Sequence, residues 1–203
     1  MAWSRILGHE PVIARLRESL LRDRLSHAYL FVGPDGIGKG LVARELAKTV
    51  LCAESRDEAC DGCRACRKVE HGNHPDVTVV ERVRDSDKGT ARSAILIDQV
   101  REEIQNTIGY KPFEGSHKVF IVSEADRLTE QAQNCLLKTL EEPPGHSLLV
   151  LVASRLEPFL DTVVSRCQVV RFRPLPTDLV ERIVREHSEE DGASVREIGR
   201  AHV

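Results

Sequence analysis

The sequence predicts an α/β fold in which helices sandwich a mainly parallel sheet. Apolar runs such as "AYLFV" (28–32) and "KVFIV" (118–122) are continuous, which is typical of parallel strands buried on both faces. Segments with helical periodicity stand between these runs, so strands and helices alternate along the chain. A chain of 203 residues is long enough for one sizeable domain and the start of another.

The elements follow from local patterns taken in chain order. We predict helices at 11–25, 41–52, 97–108, 128–142, 157–165 and 177–187. We predict strands at 28–33, 76–83, 118–126, 147–154 and 167–172, and a polar loop at 84–94. Asp98 is the expected N-cap of its helix, and Pro143 stops the helix that precedes it.

The composition narrows the class of protein. A net charge of −3 excludes a strongly basic nucleic-acid-binding surface, so any contact with DNA needs a local patch or a partner. The first 20 residues lack the apolar core of a signal peptide, and no apolar run is long enough to span a bilayer. We therefore expect a cytoplasmic protein, in which six cysteines are more often metal ligands or reduced thiols than disulfides.

A glycine-rich loop, "GPDGIGKG" (33–40), joins the first strand to a helix. Gly33 and Gly38 allow the backbone N–H groups to turn towards phosphate oxygens, and Lys39 is the expected ligand of the β- and γ-phosphates. The next position, where a hydroxyl normally holds Mg²⁺, is Gly40. We expect nucleotide binding here to be weak or vestigial.

The second Mg²⁺ ligand of hydrolysing loops is an aspartate at the end of another strand. Ser123 stands at that position, with Glu124 beside it as the one carboxylate that is able to orient a water. Without both metal ligands the charge that develops on the γ-phosphate loses its main stabiliser. The residues leave open a loop kept for its shape, a loop that binds nucleotide without turnover, and an active ATPase that uses Glu124.

Four cysteines predict a structural zinc site. They follow the pattern C-x7-C-x2-C-x2-C within a strongly polar segment, which suits tetrahedral coordination by four thiolates rather than core packing. The ligands are Cys52, Cys60, Cys63 and Cys66. His71 and His74 are expected to face solvent, and Cys135 and Cys167 to pack in the core.

Several of these segments together resemble the bacterial clamp-loader subunits of the AAA+ class. The segments are "HAYLFVGPDGIGK" (27–39), the four-cysteine insertion, "AQNCLLKTLEEPP" (132–144) and "SRCQVV" (165–170), in the order and spacing of that family. The resemblance covers about residues 3 to 185. Gly40 and Ser123 favour the δ′ branch of DNA polymerase III loaders, whose nucleotide site is typically damaged, over the γ/τ branch.

The resemblance implies roles that the residues alone do not. Arg166 in "SRC" is implied to serve, in trans, the ATP of a neighbouring motor subunit, and Ser154 matches the family's sensor position. The implied function is a largely non-catalytic stator in the complex that loads a sliding clamp onto primed DNA. The implied partners are other loader subunits (γ/τ and δ), the clamp and DNA. An active γ/τ-like ATPase is the alternative, and a freestanding zinc-stabilised nucleotide-binding module is a third interpretation.

The expected domain organisation follows from the same pattern. We assign 1–173 to an AAA+ phosphate-loop domain with its zinc-binding insertion at 52–66, and 174–196 to the start of a helical lid. The family's helical collar is absent from this sequence. The ending "REIGRAHV" resembles a translated sequencing adapter, so we expect 197–203 to be a non-native tail.

Overall fold

The computed structural model describes residues 3–83 and 93–191, and the side chains as far as 185. The predicted loop at 84–94 therefore lies mostly outside the described residues, and the suspected tail at 197–203 lies wholly outside them. The strands are β1 Ala28–Val32, β2 Val77–Val80, β3 Lys118–Val122, β4 Ser147–Ala153 and β5 Gln168–Arg171. The helices are α1 Glu10–Leu21, α2 Lys39–Val50, α3 Arg64–Glu70, α4 Ile97–Val100, α5 Asn106–Ile108, α6 Glu130–Glu141, α7 Asp161–Val164 and α8 Thr177–Asp191.

The five strands form one parallel sheet in the order β2-β3-β4-β1-β5. Strand β1 lies between β4 and β5, with Tyr29 opposite both Val150 and Gln168. The predicted α/β class and parallel sheet are confirmed. Because the carboxyl ends of parallel strands meet at one edge, the segments after β1, β3 and β4 are brought together there.

Both faces of the sheet are covered, as the continuous apolar runs predict. All five residues of β1 are buried. Leu30 belongs to a cluster that also contains Phe120 and Leu136, whereas Tyr29 belongs to a second cluster with Leu46 of α2. Successive side chains of a strand point to opposite faces, so one strand supplies two cores.

The segment at 97–108 departs from the predicted single helix. Its N-cap is Leu96, and Asp98 lies within the first turn, so the predicted cap is wrong. Between α4 and α5 the residues Arg101–Gln105 form a π-helical turn. Insertions of this kind inside a helix have no strong signal in local periodicity.

His74 is the second departure. Only 3% of its surface is exposed, and its Nδ1 accepts the backbone N–H of Asp76 at 3.1 Å. The expectation that His74 faces solvent is therefore wrong. Asp76, two residues later, accepts the backbone N–H groups of Glu114 (2.9 Å) and Gly115 (2.8 Å) with its carboxylate. His71 is exposed as expected. No helix among the described residues is long and apolar enough to span a bilayer.

Candidate functional site

The glycine-rich loop connects the end of β1 to the start of α2. Gly38 has φ +96° and caps α2, and a left-handed backbone of this kind strains any residue with a side chain. A Cβ at Gly33 would lie 2.5 Å from the carbonyl oxygen of Phe172, the residue after β5. The two backbones therefore pass too closely for a side chain at position 33. These two glycines therefore hold the loop at the carboxyl edge of the sheet, with the helix N-terminus facing outward.

Lys39 is 5% exposed and lies under the loop. Its ammonium donates to the carbonyl oxygens of Gly33, at 2.6 Å, and Pro34, and lies 3.8 Å from the carboxylate of Asp35. Burial lowers the pKa of this ammonium, an effect that Asp35 opposes. Lys39 therefore supplies a positive charge to a cleft of about 240 Å³ at the carboxyl edge of the sheet.

The structure brings the predicted nucleotide-site residues other than Gly33 together around that cleft. Its lining includes Gly38, Lys39 and Gly40 from the loop, Ser123 and Glu124 after β3, and Ser154 after β4. A Cβ added at Gly40 would meet no described atom within 4 Å. The position that normally carries the hydroxyl is therefore open.

Glu124 is held by a residue that the sequence analysis missed. Arg82, just after β2, binds its carboxylate with two nitrogens, Nη2 to Oε1 at 2.8 Å and Nε to Oε2 at 2.5 Å. Glu124 itself has a left-handed backbone (φ +50°), which is unusual for a residue with a side chain. Its carboxylate is thereby engaged by a guanidinium at the rim of the cleft.

Ser154 is held by a second residue that was missed, Asp126. The Ser154 backbone N–H and hydroxyl donate to the two carboxylate oxygens of Asp126 at 3.0 and 2.9 Å. Asp126 also contributes to the electrostatic environment of Lys39. The spacing of "SEAD" after an apolar strand was the available signal, since it placed a third polar side chain at the same edge.

The four predicted cysteines also come together. Their sulfur atoms all lie within 4.8 Å of one another, and the thiols are free rather than paired. Tetrahedral zinc with Zn–S bonds of about 2.3 Å places sulfurs about 3.8 Å apart, so the cluster fits the ion. Cys135 and Cys167 pack against the core as expected.

Backbone groups around the cysteines favour thiolates. The N–H groups of Cys60, Cys63 and Cys66 donate to the sulfurs of Cys52, Cys60 and Cys63, respectively, at 3.3–3.4 Å. Partial burial acts to raise the pKa of Cys63, but N–H donation from Cys66 and Ala53 outweighs it and brings the pKa to about 6. Burial raises the pKa of Cys66. A bound cation would lower the pKa of Cys66 again, because a cation stabilises the thiolate.

Arg166 lies away from the cleft. It precedes β5, whereas the loop follows β1, and the two strands are parallel, so the two sites lie at opposite edges of the sheet. The length of β5 alone is about 13 Å. The guanidinium donates to the carbonyl of Thr162 at 2.9 Å and lies 2.9 Å from a carboxylate oxygen of Glu141 at the end of α6.

Comparison with known proteins agrees with this architecture. A family model described as DNA polymerase III, delta subunit, matches residues 8–176. The chain is 38% identical over 188 residues to DNA polymerase III subunit delta′ of Bacillus subtilis (strain 168), covering 92% of this chain and 54% of that protein. It is 34% identical over 176 residues to subunit tau of the same organism, covering 86% of this chain and 30% of that protein. The chain thus spans about half or less of these relatives.

Solved structures support the fold. A gamma-subunit-related protein of Thermotoga maritima superposes with a TM-score of 0.54 at 22% identity, covering 88% of this chain and 52% of that one. The RuvB K64R mutant of Thermotoga maritima gives the same TM-score at 11% identity, covering 92% and 51%. The resemblance to clamp-loader subunits is confirmed, and this chain belongs to the DNA polymerase III delta subunit family.

Proposed function

We propose that this chain is the phosphate-loop part of a δ′-like clamp-loader subunit that does not hydrolyse ATP itself and supplies Arg166 to a neighbouring ATPase. Its partners would be the γ/τ and δ subunits and, through the complex, the sliding clamp and primed DNA in the cytoplasm. The relatives named above are subunits of DNA polymerase III. The domain boundaries at 173 and 196 are part of the same proposal.

The composition of the cleft supports a non-hydrolysing site. Gly40 offers no side-chain oxygen to a metal ion, and Ser123 offers a hydroxyl where hydrolysing loops have a carboxylate. The residues present therefore do not fit the Mg²⁺ site of an active phosphate loop. Glu124, the remaining carboxylate beside that position, is bound by Arg82. Weak nucleotide binding through Lys39 and the loop N–H groups is compatible with these observations.

The position of Arg166 is the observation that carries the proposal. The residue lies at the sheet edge opposite its own cleft, so it has no nucleotide of its own chain to serve. Its side chain is 35% exposed, and its guanidinium contacts the Thr162 carbonyl and pairs with Glu141, so serving a second molecule requires that it exchange Glu141 for phosphate. Arginine is suited to the task because its charge is permanent and its planar donors match phosphate oxygens.

The test uses full-length protein assembled with its partner subunits. We expect Arg166→Ala to lower ATP hydrolysis by the complex roughly 10³-fold or more, because a cation in trans offsets transition-state charge. Arg15→Ala, at an exposed position of α1, is the control and leaves hydrolysis unchanged. Normal hydrolysis by an assembled Arg166→Ala complex would show that the arginine has no such role.

The alternative is a γ/τ-like ATPase. It is favoured by Lys39 and Glu124 lining the same cleft. This alternative expects hydrolysis by the isolated protein that Lys39→Ala abolishes. We expect instead that phosphate release stays at background in both the unmodified protein and the Lys39→Ala variant.

The cysteine cluster is proposed to hold one structural zinc ion. All four positions of a tetrahedral site are filled by protein ligands, so no position remains for a substrate or an activated water. When bound, the ion would supply a cross-link between the end of α2 and the start of α3. Metal analysis of purified protein is expected to return one zinc per chain.

A further inference from the structure

Lys48 is a charged residue in a buried place. Only 1% of its surface is exposed, which is rare for lysine and requires that the ammonium be paired. Its Nζ lies 2.8 Å from Glu45, 2.9 Å from Asp61 and 2.6 Å from Glu70. We call these four residues the Lys48 cluster.

The carboxylates of the Lys48 cluster come from three different segments. Glu45 lies one turn earlier on α2, and Asp61 lies between the zinc-ligand candidates Cys60 and Cys63. Glu70 ends α3, the helix that carries Cys66. We call residues 52–72 the cysteine segment. The Lys48 ammonium joins α2 to two points of this segment, the turn at Asp61 and the end of α3 at Glu70.

The backbone at Asp61 is also unusual. Its φ is +58°, a left-handed conformation that aspartate and asparagine tolerate better than most residues. The turn directs the carboxylate inward to Lys48, and Arg5 lies 3.7 Å from the same side chain. The geometry of the Cys60–Cys63 turn is thus linked to this ion pair.

The turn that carries Cys60 and Cys63 has little apolar packing of its own. In the described part of the chain, the cluster of buried residues around it consists of Ala59 and Cys66, with Cys52 and Cys63 packed against them. This cluster is separate from the two cores on the faces of the sheet. Val69 of α3 packs in the second of these cores, so the three short charged contacts of Lys48 orient the segment together with that packing.

We propose that Lys48 is a positioning residue for the zinc site: by binding Asp61 and Glu70 it orients the Cys60–Cys63 turn and α3 so that the four sulfurs converge. This inference rests on the zinc site proposed above. Groups outside the ligand shell that orient the ligands commonly change metal affinity 10- to 100-fold. The Lys48 cluster would act in this way on backbone turns rather than on the ligands directly.

The test is zinc affinity, measured by competition with a chromophoric chelator on the whole chain. Lys48→Met keeps an unbranched side chain but removes the charge, and we expect it to weaken zinc binding about 10- to 100-fold. Lys68→Met is the matched control, since Lys68 lies on α3, the helix that carries Cys66, but its ammonium pairs with Glu114 at the surface. We expect that control to stay within about twofold of the unmodified protein, because Lys68 lies outside the Lys48 cluster.

A second variant covers the case in which Lys48→Met does not fold. Asp61→Asn keeps the shape and tolerates the left-handed backbone, while it removes the charge that Lys48 binds. We expect it to lower zinc affinity at least about tenfold, and the loss in the double variant to be less than the product of the single losses.

The outcomes separate the two proposals. If the unmodified protein binds no zinc, the zinc site itself is wrong. If it binds zinc and a folded Lys48→Met or Asp61→Asn protein binds it equally well, the positioning role is wrong. Circular dichroism of each variant reports whether it is folded.

Discussion

Gly40 and Ser123 stand where hydrolysing phosphate loops carry a hydroxyl and an aspartate. Both lie at its lining, and the space around Gly40 is open. Their effect is chemical rather than steric, because an oxygen is missing at one position and a negative charge at the other. We therefore expect that side-chain replacements at these two positions create Mg²⁺ binding without any change of the backbone.

The double variant Gly40→Thr, Ser123→Asp tests this at the residue scale. We expect it to bind ATP at least about tenfold more tightly with Mg²⁺ than without, since it has gained two oxygen ligands. Nucleotide titrations with Mg²⁺ and with EDTA measure the difference. Gly145→Thr, at another glycine with open space, is the control and should show no Mg²⁺ effect.

His74 gives a pH prediction at the same scale. Burial lowers its pKa, so below about pH 6.5 the unfolded chain binds more protons than the folded one. The free energy of unfolding should therefore decrease as pH falls below about 6.5. Protonation of Nδ1 also breaks the bond from the Asp76 N–H.

Urea unfolding between pH 7.5 and 5 measures this dependence. His74→Asn should flatten it, whereas His71→Asn, at the neighbouring exposed histidine, should keep it. An unchanged slope in the His74 variant would contradict the assignment. Part of the slope is expected to remain, because burial also lowers the pKa of His117.

At the scale of elements, Asp126 joins the turn after β3 to the end of β4. It accepts two hydrogen bonds from Ser154, and β3 and β4 are neighbours in the sheet. The same edge carries the ion pair of Arg82 after β2 with Glu124 after β3. The ends of β2, β3 and β4 are therefore tied to one another by carboxylates, in addition to the backbone ladder.

Asp126→Ala should destabilise the protein by roughly 1–3 kcal/mol, because the Ser154 N–H loses its acceptor in a partly buried place. Chemical denaturation measures the change. Asp98→Ala is the control, since that side chain is 80% exposed and its nearest cation is 3.5 Å away. Equal stability of the two variants would show that the Ser154 contacts contribute little.

At the scale of the whole molecule, the cysteine segment is only partly integrated with the sheet. Its small buried cluster does not merge with either of the two larger cores. The segment is attached by the chain itself, by Val69 in the second core, by the Lys48 cluster, by the hydrogen bond from Trp3 Nε1 to the Asp57 carbonyl at 2.9 Å and by the ion pair of Arg17 with Asp57 at 2.7 Å. Loss of the proposed zinc ion should therefore act mainly on the turn that carries the cysteines.

Removal of zinc with a strong chelator tests this separation. We expect amide hydrogen exchange to increase within 52–72 while β1, β3 and β4 stay protected, because their backbone bonds lie in the two larger cores. Mass spectrometry of peptides from the two regions provides the measurement. Simultaneous loss of protection in β1 would show that the segment and the sheet form one cooperative unit.

Local sequence patterns were enough to predict the α/β class, the parallel sheet, the glycine loop and the cysteine cluster. Each depends on residues close in the chain, where periodicity and fixed spacing reflect local geometry. Continuous apolar runs indicate parallel strands because both faces of such strands must be covered.

The pairing of charged side chains, by contrast, could not be predicted and depends on the tertiary fold. Arg82 and Glu124 are 42 residues apart and Asp126 and Ser154 are 28 apart, and the order β2-β3-β4 brings each pair to one edge. Lys48 likewise has an ordinary helical context in the sequence but lies beneath the cysteine segment. Long polar side chains leave no periodic signal for their partners, so the strand order and the fold of the insertion select those partners.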